Sequence, residues 1–246
     1  MILDPVCLMK IDMREAEAMT VYEGRGYYFC SVGCRDTFYT DIERYSRNAS
    51  AERLTVGVMG SATDESDEDV ERRSVDLGEA IANQGLILVT GACPGLPYVC
   101  AQETRARGGM SVGISPALSL DEHVHKYGSP ADAFDVIIYT GSGLMGREVT
   151  NIRSSDMVII IGGRSGTLGE FSIAYDEGKL IGVLEGSGGI TAQIPAIIES
   201  FGKDTGAVLI YERDPKQLIE ALIESYSTSH FKHPSCFCAG HSHADG

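Results

Sequence analysis

No run of basic residues offsets the acidic excess of this sequence, which carries 35 acidic side chains against 20 basic ones and a formal net charge of −15 over 246 residues. A protein that grips a nucleic-acid backbone needs compensating lysines and arginines. No nucleic acid is therefore expected as a partner, and a small ligand is. A local anion site stays open, because helix ends and a few arginines act at short range. Also missing is any apolar run approaching the roughly 20 residues that span a bilayer, so no membrane partner is expected. The opening Met1-Ile2-Leu3-Asp4-Pro5 has neither the basic n-region nor the apolar core of a signal peptide, and the cysteine count of seven is odd. Together they give a cytoplasmic expectation. No Walker loop occurs, which points away from ATP hydrolysis, and NAD is not expected either.

What the sequence does hold is Ile159-Ile160-Ile161-Gly162-Gly163-Arg164-Ser165-Gly166-Thr167-Leu168-Gly169-Glu170, an apolar strand running into a glycine-rich turn and a helix start. Glycines at 162, 163 and 166 let main-chain N–H groups approach an anion. Thr167 is expected to cap the helix, whose positive dipole end faces the same oxygens. Glu170 then has two readings, a catalytic carboxylate beside the ligand or the return half of a Thr-x-x-Glu capping box.

The pattern of strand, glycine turn and helix recurs along the chain. Apolar runs at 54–59, 86–90, 110–114, 135–139, 157–161, 180–184 and 208–211 read as strands, with helices predicted from Asp67 to Ala82, into Arg107, and over 215–226. Short apolar strands alternating with helices predict an α/β, Rossmann-like, doubly wound parallel sheet. Ligands on such sheets sit at the carboxyl ends of the strands. Three strand-end loops are expected to converge there, carrying Gly60 and Ser61, Gly91 to Gly95, and Gly162, Gly163, Ser165, Gly166 and Thr167. A helix over 145–156 would put Arg147 and Asn151, one turn apart, on one face. An arginine there suits phosphate, although a surface ion pair would use it equally well. Lys179 and Lys203 read as ordinary helix-end or loop lysines, so no pyridoxal phosphate site is expected.

Residues 1–47 have a different character. Cys7, Cys30 and Cys34 lie with several aromatic residues in a segment too small for a good core, which calls for a metal or a covering surface. On a helix start, Cys30 and Cys34 would share a face, and thiolates suit zinc or copper. Buried free cysteines are the other reading. Residues 229–246 form a tail rich in cysteine and histidine. Its Cys236, Cys238, His241 and His243 are further candidate ligands, or simply an adventitious chelator.

Asp4-Pro5-Val6-Cys7-x-Met9, followed by Tyr27-Tyr28-Phe29-Cys30-Ser31-x-x-Cys34, Phe38 and Tyr45, resembles the YHS domain, with Leu8 where that pattern usually has Gly. The resemblance implies that Cys7, Cys30 and Cys34 hold a thiophilic metal. Residues 54–228 resemble the LOG family, formerly called lysine decarboxylase-like, within the SLOG group. The family signature Pro-Gly-Gly-x-Gly-Thr-x-x-Glu corresponds to Ile161 through Glu170, with one extra loop residue and Ile for Pro. Arg147 stands at the family's catalytic arginine, and Glu148 replaces the lysine that usually follows. The resemblance implies a nucleoside 5′-monophosphate phosphoribohydrolase that needs no cofactor for catalysis, with Arg147 and Glu170 catalytic and a homodimeric assembly. The longer loop is similar instead to a branch of molybdenum-cofactor carrier proteins, which implies a ligand-binding protein without catalysis. A metal-responsive protein, its two cysteine-bearing ends coupled to ligand occupancy, is the third expectation.

Overall fold

The computed structural model describes residues 1–49, 51–62 and 67–233. Tail residues Cys236, Cys238, His241 and His243 lie outside the described residues.

The elements in chain order are β1 (Ile2–Leu3), β2 (Lys10–Ile11), β3 (Ala18–Tyr22), β4 (Arg25–Phe29), α1 (Val32–Phe38), α2 (Ile42–Ser46), β5 (Thr55–Gly60), α3 (Glu68–Asn83), β6 (Ile87–Thr90), α4 (Leu96–Ala106), β7 (Met110–Ser115), α5 (Leu120–His125), β8 (Val136–Tyr139), α6 (Gly143–Arg153), β9 (Met157–Ile161), α7 (Ser165–Asp176), β10 (Leu180–Leu184), α8 (Ile194–Phe201), β11 (Val208–Glu212) and α9 (Pro215–Thr228). Strands β5 to β11 form one sheet in the order β11-β10-β9-β5-β6-β7-β8, parallel throughout.

The apolar runs are continuous because both faces of this sheet are covered. Along β9, Met157, Ile159 and Ile161 join the core under α3, α4 and α9, while Val158 and Ile160 join the core under α6, α7 and α8. The domain's first strand, β5, lies beside β9. The chain winds outward from that pair in both directions, so their carboxyl ends are where a crevice opens.

The amino-terminal segment is built on the β3–β4 hairpin. Its Glu23 and Gly24 both take positive φ, 50° and 70°, as a two-residue hairpin turn requires. Tyr27 and Phe29 face a small core with Ala18 and Phe38, whereas Met19 and Tyr28 turn to the main core, where Tyr28 meets Phe231 edge-on at 5.9 Å. The main domain is the covering surface this small segment needs. Gly24 packs so closely against the α3–β6 turn that a Cβ there would stand 2.0 Å from the Gly85 carbonyl oxygen. Arg53 donates from Nε and Nη2 to that same oxygen, at 2.9 and 2.7 Å.

Several local expectations change. Cys30 follows the end of β4 and Cys34 lies in α1, so the two do not share a helix face. The helix expected over 145–156 runs from 143 to 153. Lys179 is buried, with Nζ donating to the Ser155 carbonyl at 2.9 Å.

Candidate functional site

A cleft of about 280 Å3 opens at the carboxyl ends of β5, β6 and β9. Its walls include Gly60 and Ser61 after β5, Gly91 and Cys93 after β6, Arg147 and Glu148 from α6, and Arg164 to Thr167 with Glu170 from the start of α7. The sequence brings these residues together because each glycine turn follows a strand of the same parallel sheet. Gly95, Asn151, Gly162 and Gly163, also expected at the site, stand behind these walls.

Gly162 donates its N–H to Ser187 Oγ at 2.9 Å, and the Gly163 carbonyl accepts from Ile190 at 3.0 Å. The Gly162 N–H is thus taken up inside the loop and is not turned to a ligand. At Gly163, φ is 91° and a Cβ would stand 2.3 Å from Thr167 Oγ1. Thr167 does not cap α7. The cap is Arg164, without a side-chain hydrogen bond, and Thr167 lies in the first turn with its hydroxyl donating to the Gly60 carbonyl at 3.1 Å. The Thr-x-x-Glu spacing is therefore not a capping box, and Glu170 lies too far along the helix to cap it. Ser165, Gly166 and Thr167 occupy the first turn, whose N–H groups have no carbonyl within the helix to reach. Anions are stabilised at such an end.

Glu170 and Arg147 are each only 7% exposed, and Arg147 Nη1 stands 3.6 Å from Glu170 Oε1. Arg147 Nη2 points at Cys93 Sγ, 3.5 Å away, and Nε is buried without a partner. Asn151 is fully buried beside the pair. Its Nδ2 donates to Met59 Sδ at 3.0 Å, and its Oδ1 is unpartnered. Burial pushes the Glu170 carboxyl up from 4.5 to about 7. The Arg147 charge opposes the shift, Glu148 adds to it, and a hydrogen bond from Asn151 opposes it. Burial also raises Glu148, against Arg147. The Cys93 thiol is raised by burial, which outweighs the lowering by Arg147.

A raised carboxyl sets a stability window. Between 4.5 and about 7 the folded protein holds a proton that the unfolded chain has released, so stability falls as pH rises across that range. Above it the penalty is complete, on the order of 3 kcal/mol. Glu170→Gln is expected to melt above the parent at pH 8 and level with it at pH 4, as read by calorimetry at both pH values.

Gly91 makes room for this arrangement, since a Cβ there would stand 1.5 Å from Arg147 Nη1. Sequence reasoning missed Cys93 and Arg164 as wall residues. Their signal was position alone, each lying inside a glycine-rich strand-end turn.

At the amino terminus, Asp4, Cys7, Cys30 and Cys34 bring their ligand atoms within 4.8 Å of one another. Cys30 Sγ is 3.6 Å from Cys7 Sγ and 3.7 Å from Cys34 Sγ. Tetrahedral zinc with thiolate bonds of roughly 2.3 Å separates its sulfurs by roughly 3.8 Å, so the spacing fits such a metal. Burial pushes the Cys30 thiol up to about 12, with Asp4 and the other two thiols adding to it. Asp4, which sequence reasoning did not count as a ligand, is fully buried and holds the loop. Its Oδ1 accepts from Val6 and Cys7 N–H at 2.8 and 3.2 Å, and its Oδ2 from Cys30 N–H at 2.9 Å. Burial raises its carboxyl, but these donors outweigh burial and hold it below its ordinary value. Leu8 keeps the turn with φ of 62°, at a cost of roughly 1–2 kcal/mol for a residue with a Cβ.

The SLOG cluster4 family model matches residues 53–219, and the YHS domain model matches residues 2–49. An uncharacterized protein of Archaeoglobus fulgidus is 33% identical over 132 residues, which cover 54% of this chain and 80% of that protein. The molybdenum cofactor binding protein of Rippkaea orientalis is 26% identical, with a TM-score of 0.56 over 71% of this chain and 99% of that one. The molybdenum cofactor carrier protein of Chlamydomonas reinhardtii is 24% identical, with a TM-score of 0.58 over 70% of this chain and 98% of that one.

Proposed function

The chain belongs to the SLOG cluster4 family, and on that premise we propose that its strand-end cleft is the active site of a nucleoside 5′-monophosphate phosphoribohydrolase, which uses water to cleave the N-glycosidic bond and release free base and ribose 5-phosphate. One observation carries this reading: a buried carboxyl, Glu170, raised by burial to about 7 and paired with Arg147 on the wall of a cleft that also holds a helix N-terminus. The 5′-phosphate sits on the N–H groups of Ser165, Gly166 and Thr167. Glu170 follows Ser165 by five residues, roughly 7.5 Å of helix rise, which separates it from the phosphate and brings it to the ribose. There its carboxylate stabilises positive charge developing at C1′ and takes a proton from the attacking water as the C1′–N bond breaks, while the departing base nitrogen takes up a proton from solvent. Arg147 opposes the upward shift of the Glu170 carboxyl and orients it. Incubation with AMP, GMP, CMP and UMP tests the reading, with free base followed by chromatography.

A second reading is favoured by the 26% identity to a molybdenum cofactor binding protein. In it the same cleft carries a nucleotide or pterin phosphate without cleaving it. Thermal stabilisation by nucleotide with no free base released selects this reading.

Residues 1–47 form the metal module of the protein and residues 54–228 its ligand-binding domain. Cys7, Cys30 and Cys34 hold zinc or copper, with Asp4 as organiser of the loop; bound there, the metal cross-links the loop to β4 and α1. Cys30→Ser removes the central sulfur and is expected to reduce metal content from one equivalent per chain by at least about tenfold, as measured by elemental analysis of untagged protein. The protein acts as a homodimer in the cytoplasm. Leu118, Leu120, Val136, Ile138, Leu144 and Met145, all exposed and drawn from α5, β8, α6 and the adjoining loop, supply an apolar face for the second copy.

A further inference from the structure

Arg164 takes no part in the chemistry just described. It is exposed on the loop between β9 and α7, lies on the cleft wall, and its guanidinium makes no hydrogen bond or ion pair among the described residues, although its carbonyl accepts from Leu168 N–H at 2.9 Å. Ser165 and Gly166 beside it are exposed too, whereas Thr167, Arg147 and Glu170 are buried. The helix N-terminus therefore faces the open mouth of the cleft, and the carboxylate lies inside.

The charges in this cleft are unevenly shared. Arg147 is engaged with Glu170 at 3.6 Å. Glu148 lies against α7, its carboxylate 3.1 Å from where a Cβ on Gly169 would stand and 3.9 Å from the corresponding point on Gly166. Without Arg164, the cleft holds one cation and two carboxyl groups. The N-terminus of α7 adds roughly half a positive charge, which leaves no surplus of positive charge to meet a doubly charged phosphate. Arg147, more than nine-tenths buried in the wall, keeps a buried Nε without a hydrogen-bond partner.

We propose that Arg164 is the specificity-determining residue of the cleft, pairing with the second negative charge of a terminal phosphate so that phosphate monoesters are selected over phosphodiesters and uncharged nucleosides. The inference rests on the nucleotide reading of the cleft. A guanidinium pairs with two oxygens of a terminal phosphate in parallel, which a lysine or a helix end alone does not. A phosphodiester keeps a single charge and leaves Arg164 without its second oxygen. A phosphate monoester loses its second charge below about pH 6, so the preference fades there.

Calorimetric titration of the full chain with AMP, the methyl phosphodiester of AMP, and adenosine tests this, alongside Arg164→Ala and Arg164→Lys. The parent is expected to bind AMP about tenfold more tightly than its methyl ester at pH 8. Arg164→Ala is expected to lose that preference while keeping the parent's affinity for adenosine, with Arg164→Lys in between. Equal binding of AMP and its ester by the parent overturns the proposal, as does an Arg164→Ala variant that keeps the preference or loses adenosine equally. Base release is read separately. Its absence with the binding preference intact defeats hydrolysis alone, whereas a failure of all three ligands to bind defeats both.

Discussion

Glu170→Gln is expected to lower the rate of base release by about 10²–10⁴-fold while binding of nucleoside monophosphate stays within about threefold. The amide matches the carboxylate in size, so the cleft keeps its shape. It cannot carry negative charge beside C1′ and cannot take a proton from water. In the proposed placement, with the phosphate on the first turn of α7, the amide is out of its reach, and affinity is expected to be spared. A variant that loses affinity and rate together would make Glu170 a binding residue and contradict its catalytic role. Stability separates this from misfolding, since the same substitution is expected to raise the melting temperature at pH 8.

Removing the cation has an effect of similar size by a different route. In Arg147→Met, Glu170 and Glu148 face each other without the charge that opposes their upward shifts. The Glu170 carboxyl, already near 7, moves higher and is protonated at neutral pH. Base release is expected to fall at least about 50-fold at pH 7, with the rising limb of the pH–rate profile displaced upward by about two units or more. Gly91→Ala reaches the same residue without touching its chemistry, because the new Cβ would stand 1.5 Å from Nη1 and force the guanidinium aside. The same upward displacement in Gly91→Ala ties the effect to the position of Arg147. A lower rate with an unmoved profile would mean that Arg147 does not oppose the upward shift of Glu170.

The parallel sheet was legible because β9, β10 and β5 are apolar at nearly every residue, a pattern that only a sheet buried on both faces produces. The convergence of the glycine turns followed from that sheet, since turns after parallel strands gather at one edge. The local roles were harder to read. Ser/Thr-x-x-Glu marks an N-terminus only if the threonine precedes the helix, and the sequence does not say that Arg164 ends the loop three residues before that spacing suggests. Asn151 shares the face of Arg147, but one turn further along α6 that face passes under Met59 and is sealed from the cleft. Asp4 was visible only as half of an Asp-Pro pair. Its hold on three N–H groups depends on Cys30 arriving from the next hairpin, 26 residues later. The cysteines were grouped correctly despite a wrong local picture, because a strand end followed by a helix start brings Cys30 and Cys34 as close as a shared helix face would.

The most direct measurement is the stoichiometry of products formed from nucleoside 5′-monophosphates by the purified protein in phosphate-free buffer. Free base and ribose 5-phosphate are expected in equal amounts, without inorganic phosphate, from at least one of AMP, GMP, CMP and UMP. Binding of these nucleotides with no base released from any of them would contradict hydrolysis and leave the cleft as a carrier site.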